Sequence, residues 1–436
     1  MGRGNKDRES GGREVVVELP VLYPAQVEAY LLHRKHRFLA VRCGRRWGKT
    51  DFGKVIACDA IAKGQNIGWF TPDYKIQAEA YNEIVTTILP IKRSSSKIEG
   101  VVRTVTGGRA DFWTLENERA GRSRKYHGVI IDEAAFGKPN VMEIWEKSIK
   151  PTLLDYGGWA IALSNANGIA STNFLYQICN DPKYGFEQFH GPTFQNPYLP
   201  ADELAKLEGE NHPLVYRQEY LAEFVDWSGV AFFGRESLLT NDAPVEFPAI
   251  CDAVFCTIDT AVKTGVQHDG LAVTYWAINR HAPGPKLLVL DWDVLQIEGS
   301  LLEAWLPNAL RRCEELAREC RSRSGSLGAF IEDKVSGTIL LQQAARKGLP
   351  AHAIDSKLTA VGKDERAISV SGYVHQGLVK ITRPAYEKVT VFKGFSRNHF
   401  MTQVMGFRIG VKDQVDDLLD TFTYGIAIAL GNNEGY

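Results

Sequence analysis

The sequence predicts a two-domain α/β protein: a mainly parallel sheet with helices on both faces, then a second α/β domain with a different order of elements. Three observations carry this expectation. At about 100–200 residues per domain, 436 residues leave room for two or three cores. From Val15 to about Gly191, short apolar runs alternate with longer amphipathic segments. From Ala253, three apolar runs come close together before alternation resumes.

The first set of runs is FLAV (38–41), NIGWFT (66–71), ADFWTL (110–115), GVIID (128–132) and GWAIALS (158–164), all reading as buried strands. Segments 50–62, 74–89 and 141–154 have helical spacing. Residues 192–250 change character, with scattered prolines, ten Asp/Glu against three Lys/Arg over 201–250, and short helices such as 213–224. The second domain opens with AVFCTID (253–259), LAVTYWAI (271–278) and KLLVLDWDV (286–294), suited to a meander. Helix 300–322, strand 328–333, helix 336–347, strand 351–355, helix 363–375, strand 378–382 and a helix near 414–430 complete it. The expected division is a disordered lead at 1–14, a first domain at 15–200, a connector at 201–250 and a second domain at 251–436.

Composition removes several classes. No stretch approaches the roughly 20 uncharged apolar residues of a membrane span. The polar, Gly-rich start is not a signal peptide, and Lys6 spoils a myristoylation motif. Seven cysteines without a C-x-x-C pair argue for a reducing compartment, against both a disulfide framework and a zinc ribbon. A net charge of −1 excludes a histone-like protein, yet the charge is uneven: +8 over residues 1–150, −12 over 151–300, +6 over 301–400 and −3 beyond. Separate functions along the chain leave such blocks, and so do solvated helix faces.

Residues 43–50 read CGRRWGKT, a P-loop whose first Gly is Gly44 instead of the position held by Cys43. Gly48 lets backbone approach phosphate, Lys49 reaches the β/γ-phosphates and Thr50 offers a hydroxyl to Mg²⁺; Arg45, Arg46 and Trp47 fill the loop. The following helix aims its N-terminus at the phosphates. GVIIDEAAF (128–136) then ends a buried strand in Asp132-Glu133, the Walker B order, with Asp132 for Mg²⁺ and Glu133 to polarise the attacking water. Strand GWAIALS brings Ser164 and Asn165 to the same edge, a place to sense hydrolysis. Before the first strand, Gln26 suits an adenine edge and Tyr23 a stacking ring. Arg45, Arg46, Arg119, Arg122 and Arg124 all qualify as cationic stabilisers of phosphoryl transfer, and sequence chemistry does not choose among them.

The second domain places acids at strand ends: Asp259 after AVFCTI, Glu332 after GAFI, then Asp416, Asp417 and Asp420 around the start of the last helix. Carboxylates gathered from separate elements repel unless cations bind. Two Mg²⁺ or Mn²⁺ there would stabilise the attacking and leaving oxygens of phosphodiester cleavage, as in an RNase H-like nuclease. Asp269, Asp291, Asp293 and Asp333 are further candidates, Asp269 foremost because its loop follows Asp259.

Together the motifs resemble the large terminase subunit of tailed bacteriophages, from Tyr23 to about Tyr424. The resemblance rests on GRRWGKT, FTPDYKIQAEA, ENERAGRSRKYHGVIIDEAAF, ALSNANG, QNPYL (195–199), YRQEYLAEF (216–224), IDTA (258–261), IEDKVSGT (331–338), KDERA (363–367) and VDDLLD (415–420) in order. It implies a P-loop ATPase of RecA-like type followed by an RNase H-like nuclease. ATP is the implied substrate, with Mg²⁺ at the first site and two Mg²⁺ or Mn²⁺ at the second. Carried over, Gln26 resembles the adenine contact, Arg45 the Walker A arginine, and Ser164-Asn165 the coupling motif. Arg122, eleven residues before Glu133, resembles a trans-acting finger. Asp259, Glu332 and Asp417 resemble the nuclease acids, with Asp416 not separable from Asp417 by sequence.

The implied partners are double-stranded DNA, a portal protein, a small terminase subunit and further copies in a ring, expected as a pentamer, with no membrane. The implied setting is the host cytoplasm and, transiently, the portal vertex, outside the mature virion. The coupling motif departs from the family in lacking its usual Pro, and a long portal-docking tail is expected to be missing or very short. A helicase or repair-type translocase with an accessory nuclease is the alternative enzyme; it would need strand-separation motifs in a second RecA-like domain, and 253–436 has no P-loop-like segment. A DNA-binding scaffold with a dead nuclease fold is the non-enzymatic one.

Overall fold

The computed structural model describes residues 15–228, 230, 232–260, 271–281, 283–296, 301–334, 336–411 and 414–431. The chain divides into two compact units, Met1–Ala205 with Leu214–Asp226, and Lys206–Pro213 with Trp227–Tyr436. Residues 201–250, expected as a connector, are thus shared between the units. No helix among the described residues is long and apolar enough to cross a membrane, and all seven cysteines are free thiols.

The first unit runs α1 (Pro24–Lys35), β1 (Phe38–Cys43), α2 (Lys49–Ala62), β2 (Asn66–Thr71), α3 (Tyr74–Thr87), β3 (Lys92–Ser96), β4 (Val101–Thr104), β5 (Arg109–Thr114), β6 (Gly128–Asp132), α4 (Val141–Ile144), β7 (Trp159–Ser164), α5 (Phe174–Asn180) and β8 (Glu187–Gly191). Helices α6 (Ala201–Glu210) and α7 (Pro213–Glu219) follow. The eight strands form one sheet in the order β3-β4-β5-β2-β6-β7-β1-β8. Pairing is parallel from β5 to β8, as buried apolar runs with helical crossovers require. Separate clusters of buried side chains cover its two faces, one including Leu39, Trp69 and Ile84, the other Ala40, Ile131 and Trp145.

The β3–β4 edge is antiparallel, and the sequence pattern does not predict it. Its KRSSS strand has no apolar alternation because it is an exposed edge. The expected helix 141–154 is an α-turn, a π-turn at Trp145–Ile149 and a 3₁₀ turn at Lys150–Leu153, where Pro151 withholds a backbone donor.

The second unit contains α8 (Arg235–Leu238), β9 (Ala253–Asp259), β10 (Leu271–Ile278), β11 (Leu287–Leu295), α9 (Leu302–Glu319), β12 (Ser326–Ile331), α10 (Ser336–Arg346), β13 (Ala351–Ala353), α11 (Ser356–Thr359), α12 (Lys363–His375) and β14 (Val379–Ile381). Then come α13 (Arg383–Glu387), the hairpin β15 (Thr390–Phe392) and β16 (Phe395–Arg397), α14 (His399–Gly406) and α15 (Asp417–Leu430). Six strands form a mixed sheet, β13-β12-β9-β10-β11-β14, with the expected antiparallel meander β9-β10-β11 at its centre. Alternation along β9 assigns its faces. Val254, Cys256 and Ile258 pack in a cluster with Leu306, Leu310 and Cys313 of α9. On the α15 side, the Thr257 hydroxyl donates to the Thr421 carbonyl at 2.8 Å, and Trp276 lies 5.9 Å from Phe422, ring to ring.

Candidate functional site

Strand register brings the first constellation together. Arg42 pairs with Ser164, and Asp132 with Leu163, so β1, β6 and β7 end at one edge of the sheet. There the Lys49 ammonium lies 3.0 Å from Glu133 Oε1 and 2.8 Å from Asn165 Oδ1. The Thr50 hydroxyl is 3.5 Å from Asp132 Oδ1, and Ser164 donates to Glu133 Oε2 at 3.3 Å. Glu133 itself adopts a left-handed φ of 53°, which turns its side chain out of the strand path.

The loop glycines have physical reasons. Gly48 has φ 84°, a conformation that L side chains resist. At Gly44 an added Cβ would stand 2.3 Å from Thr193 Oγ1 and 2.5 Å from the Tyr220 carbonyl. The glycine is therefore needed one place later than the motif puts it, because the chain at 191–193 and 220 closes against the loop there.

Asp132 is fully buried, and its Oδ2 atom lacks a hydrogen-bond partner. Burial first, and then Glu133, push its carboxyl up to about 7. Such a carboxylate, beside a hydroxyl and the glycine-containing loop 43–50, fits an Mg²⁺ ion. Burial alone would lower the Lys49 ammonium, but Glu133 beside it raises it, so the lysine stays charged.

Other expected residues take different places. Tyr23 is 5% exposed; its hydroxyl donates to the Trp47 carbonyl and its ring meets Trp47 edge-on at 5.8 Å, so it is no stacking platform. Gln26 is buried and donates to the Gly48 carbonyl at 3.1 Å, bracing the loop. The Trp47 side chain is in the core, its indole N–H donating to Gln195 at 3.1 Å, which leaves only its backbone facing a ligand. Arg46 is exposed with φ 64°, its carbonyl accepting from Asn196 at 2.6 Å.

The arginines also separate. Arg45 pairs at 2.7 Å with Glu219, which is 6% exposed and also accepts from Asn165 at 3.3 Å. Arg124 is held by buried Asp111 at 3.4 Å, and Arg122 donates to Ser148 at 3.0 Å on the irregular helix after α4. The Arg119 guanidinium has no ion pair or hydrogen bond among the described residues. Sequence reasoning misses Glu219 as a site residue. Its only signal is its place in YRQEYLAEF, inside a block distinguished mainly by excess acid.

In the second unit, Ile331 pairs with Ile258, which sets Glu332 beside Asp259 at one sheet edge. The packing of Thr421 on Thr257 brings the first turn of α15 to the same end. Asp259 is 5% exposed, and its carboxylate has no hydrogen bond or ion pair among the described residues. Burial and then Asp420, Glu332, Asp417 and Asp416 push it well above the carboxylate range. Asp420 is raised as well, by burial more than by its neighbours.

The outer carboxylates are already paired. Glu332 accepts from the Tyr424 hydroxyl at 2.7 Å and pairs with Lys334 at 2.6 Å. Asp416 pairs with Lys363 at 2.5 Å, and Asp420 with Arg366. Asp417 is buried at the start of α15. Among the described residues, no group of three or more His, Cys, Asp or Glu side chains is arranged to hold a metal ion as it stands. A buried, unpartnered carboxylate ringed by four others nevertheless fits a divalent cation, which would relieve the repulsion.

The further acidic candidates do not join this site. Asp291 and Asp293 stand across from Cys256 and Ile258 through β10, on the α9 side of the sheet, where Arg312 and Lys388 pair with them. Asp333 is exposed and accepts from Thr338 at 2.5 Å. Asp269 lies outside the described residues.

No family model matches the chain. In sequence it is 25% identical over 250 residues to proteins named terminase, large subunit, from Thermus phage G20c and Thermus virus P23-45, over 48% of this chain and 50% of each relative. It thus spans about half the length of the curated relatives it matches. A solved structure of the large terminase from a thermophilic bacteriophage superposes with a TM-score of 0.63 at 11% identity, covering 93% of this chain and 98% of that one. The same protein in complex with ADP gives a TM-score of 0.62, at 11% identity and the same coverage. The chain therefore resembles phage large terminases in sequence and shares the two-domain α/β fold of the solved large terminase.

Proposed function

We propose that this chain is the motor and nuclease of viral genome packaging: ATP hydrolysis in the first unit drives double-stranded DNA into a procapsid, and the second unit cuts concatemeric DNA to begin and end the process. The observation that carries the reading is the meeting of Lys49, Glu133, Asn165, Thr50 and Asp132 at the ends of three adjacent strands. Lys49 and the loop amides would bind the nucleotide phosphates, and Glu133 would orient and deprotonate the attacking water. Thr50 and Asp132 would hold Mg²⁺, which supplies charge neutralisation at the β- and γ-phosphates. Gln26 would act by holding the loop. The exposed Tyr198, whose ring lies 6.3 Å from that of Tyr23, offers a face to the base.

Asn165 links Lys49 to Glu219, and Glu219 holds Arg45. Loss of the γ-phosphate would therefore be felt at α7, a direct route from chemistry to motion. Arg122 or the unpaired Arg119 would serve a neighbouring copy in a ring, expected as a pentamer.

In the second unit Asp259, Glu332 and Asp417, with Asp416, would hold two Mg²⁺ or Mn²⁺, whose chemistry is activation of water and stabilisation of the leaving oxygen. The setting is the host cytoplasm and then the portal vertex, with a portal protein and a small terminase subunit as partners. The test pairs two assays on the full chain. Glu133→Gln should abolish ATP turnover and leave Mn²⁺-dependent plasmid nicking, whereas Asp259→Asn should do the reverse. Wild-type ATP turnover by Glu133→Gln would refute the first assignment, and intact cutting by Asp259→Asn the second.

A further inference from the structure

The KDERA turn that opens α12 has no role in the reading above, yet it grips the acidic arm at three points. Lys363 pairs with Asp416, Asp364 accepts from the Gly410 amide at 2.9 Å, and Arg366 pairs with Asp420. The two cations differ in how they are held. Arg366 is 5% exposed, donates also to Thr423 at 3.1 Å and the Val361 carbonyl at 3.0 Å, and lies 4.2 Å over the Tyr424 ring. It is a fixed strut. The Lys363 ammonium contacts Asp416 alone among the described residues, and both side chains keep a quarter or more of their surface open, 26% and 31%.

Its position gives a second argument. Lys363 is the first residue of α12, where the helix dipole disfavours a cation by about 0.3–1 kcal/mol. Asp364 and Glu365 in the same turn already suit that dipole. The lysine therefore does not serve the helix; what it serves is Asp416, one of the four carboxylates around Asp259.

We propose that Lys363 is the resident counter-ion of the acidic site, holding Asp416 while the site is free of metal and being displaced from it when a divalent cation binds. The inference rests on the reading of this site as a metal-dependent nuclease. A lysine ammonium and a divalent cation at the same carboxylate repel one another, so the pair both stabilises the metal-free arm and competes with the metal. Glu332, Asp416 and Asp420 each have a cation of their own in this arrangement.

The experiment is calorimetric titration of Mn²⁺ into the full chain without DNA, alongside melting curves with and without Mn²⁺. Lys363→Met should bind Mn²⁺ about threefold to tenfold tighter than wild type, the size expected for removing one nearby charge in a partly solvated site. It should also melt lower than wild type without metal and gain more from its addition. Lys363→Arg should bind as wild type does. A merely structural lysine would give the opposite sign, because a disordered arm binds metal more weakly. Should Lys363→Met fail to fold, Lys363→Gln carries the same expectation. Equal or weaker Mn²⁺ binding by the charge-removing variants, with wild type binding, overturns this inference alone. No Mn²⁺ binding by wild type removes the nuclease reading and this inference with it.

Discussion

In the first unit a cation sits at the centre of the carboxylates: Lys49 touches Glu133, which follows Asp132 directly, and raises no barrier to a phosphate arriving beside it. In the second unit the cations sit at the rim. Lys334, Lys363 and Arg366 each take an outer carboxylate, while Asp259 at the centre has none. Both sites contain a buried acid raised above its ordinary range by burial. The difference lies in what completes them. One is close to balanced, as a site for an anionic ligand would be; the other carries an excess of like charge that added cations would relieve. On the proposed reading, the first site would be fully folded before a nucleotide arrives, whereas the acidic site would exchange internal partners for external ones.

The largest test of this contrast removes one acid from each site. Glu133→Gln should lower ATP turnover about 10³-fold or more, as loss of a group acting on the attacking water would. It should leave the melting temperature nearly unchanged, since Lys49 keeps Asn165. Asp259→Asn should abolish cutting and, without metal, raise the stability of the second unit by about 1–3 kcal/mol by removing a buried like-charge conflict. Chemical denaturation in EDTA reads it. Unchanged or lower stability would show that the charges around Asp259 are already balanced.

Titration with acid should separate the units in a second way. His33 is 6% exposed, with Nδ1 unpartnered, and burial above all lowers its pKa from 6.5 to about 4. The unfolded chain takes up this proton near pH 6.5 and the folded chain only near pH 4, so its share of stability is present above 6.5 and lost as pH falls towards 4. For Asp259 and Asp420 the folded pKa is the higher one, so acid relieves their penalty and stability there rises as pH falls from neutral. Denaturation of wild type and His33→Phe at a series of pH values isolates the first effect. The variant should gain up to about 3 kcal/mol relative to wild type between pH 7 and pH 4. A constant difference across that range would show that His33 titrates normally in the fold.

Much of both candidate sites is legible in the sequence because several of their side chains end or directly follow strands that are apolar on both faces. The runs before Cys43, Asp132, Ser164 and Asp259 mark the strands, and parallel register then does the gathering. What stays hidden depends on which face a residue presents. Asp291 and Asp293 read like Asp259, and only the alternation across β10 puts them on the far side with Arg312. Tyr23 reads as a stacking ring and Trp47 as part of the P-loop; burial makes their side chains loop supports. Strand β3 is hidden because an exposed edge of lysine, arginine and serine has no apolar period to detect. Glu219 is hidden because its partners, Arg45 and Asn165, lie 174 and 54 residues away.

Glu219 also provides the smallest of these tests. In the first unit it does for Arg45 what Lys363 does for Asp416 in the second, holding a charged side chain in place while the ligand is away. The distinction is burial: Glu219 is 8% exposed in its side chain against 63% for Arg45, so the enclosed partner is the acid and the open one the base. Glu219→Gln keeps the shape and a hydrogen bond to Asn165 but loses the ion pair. Arg45 would then be released before ATP binds, and the link from Lys49 through Asn165 to α7 would be weakened. The expected result is a fall of about tenfold in kcat, near 1.4 kcal/mol, with KM for ATP changed by less than about threefold, because the residue does not touch the phosphates. Steady-state ATPase assays measure both. An effect confined to KM would place Glu219 in nucleotide binding, and the two sites would then no longer share the device of a charge held in reserve.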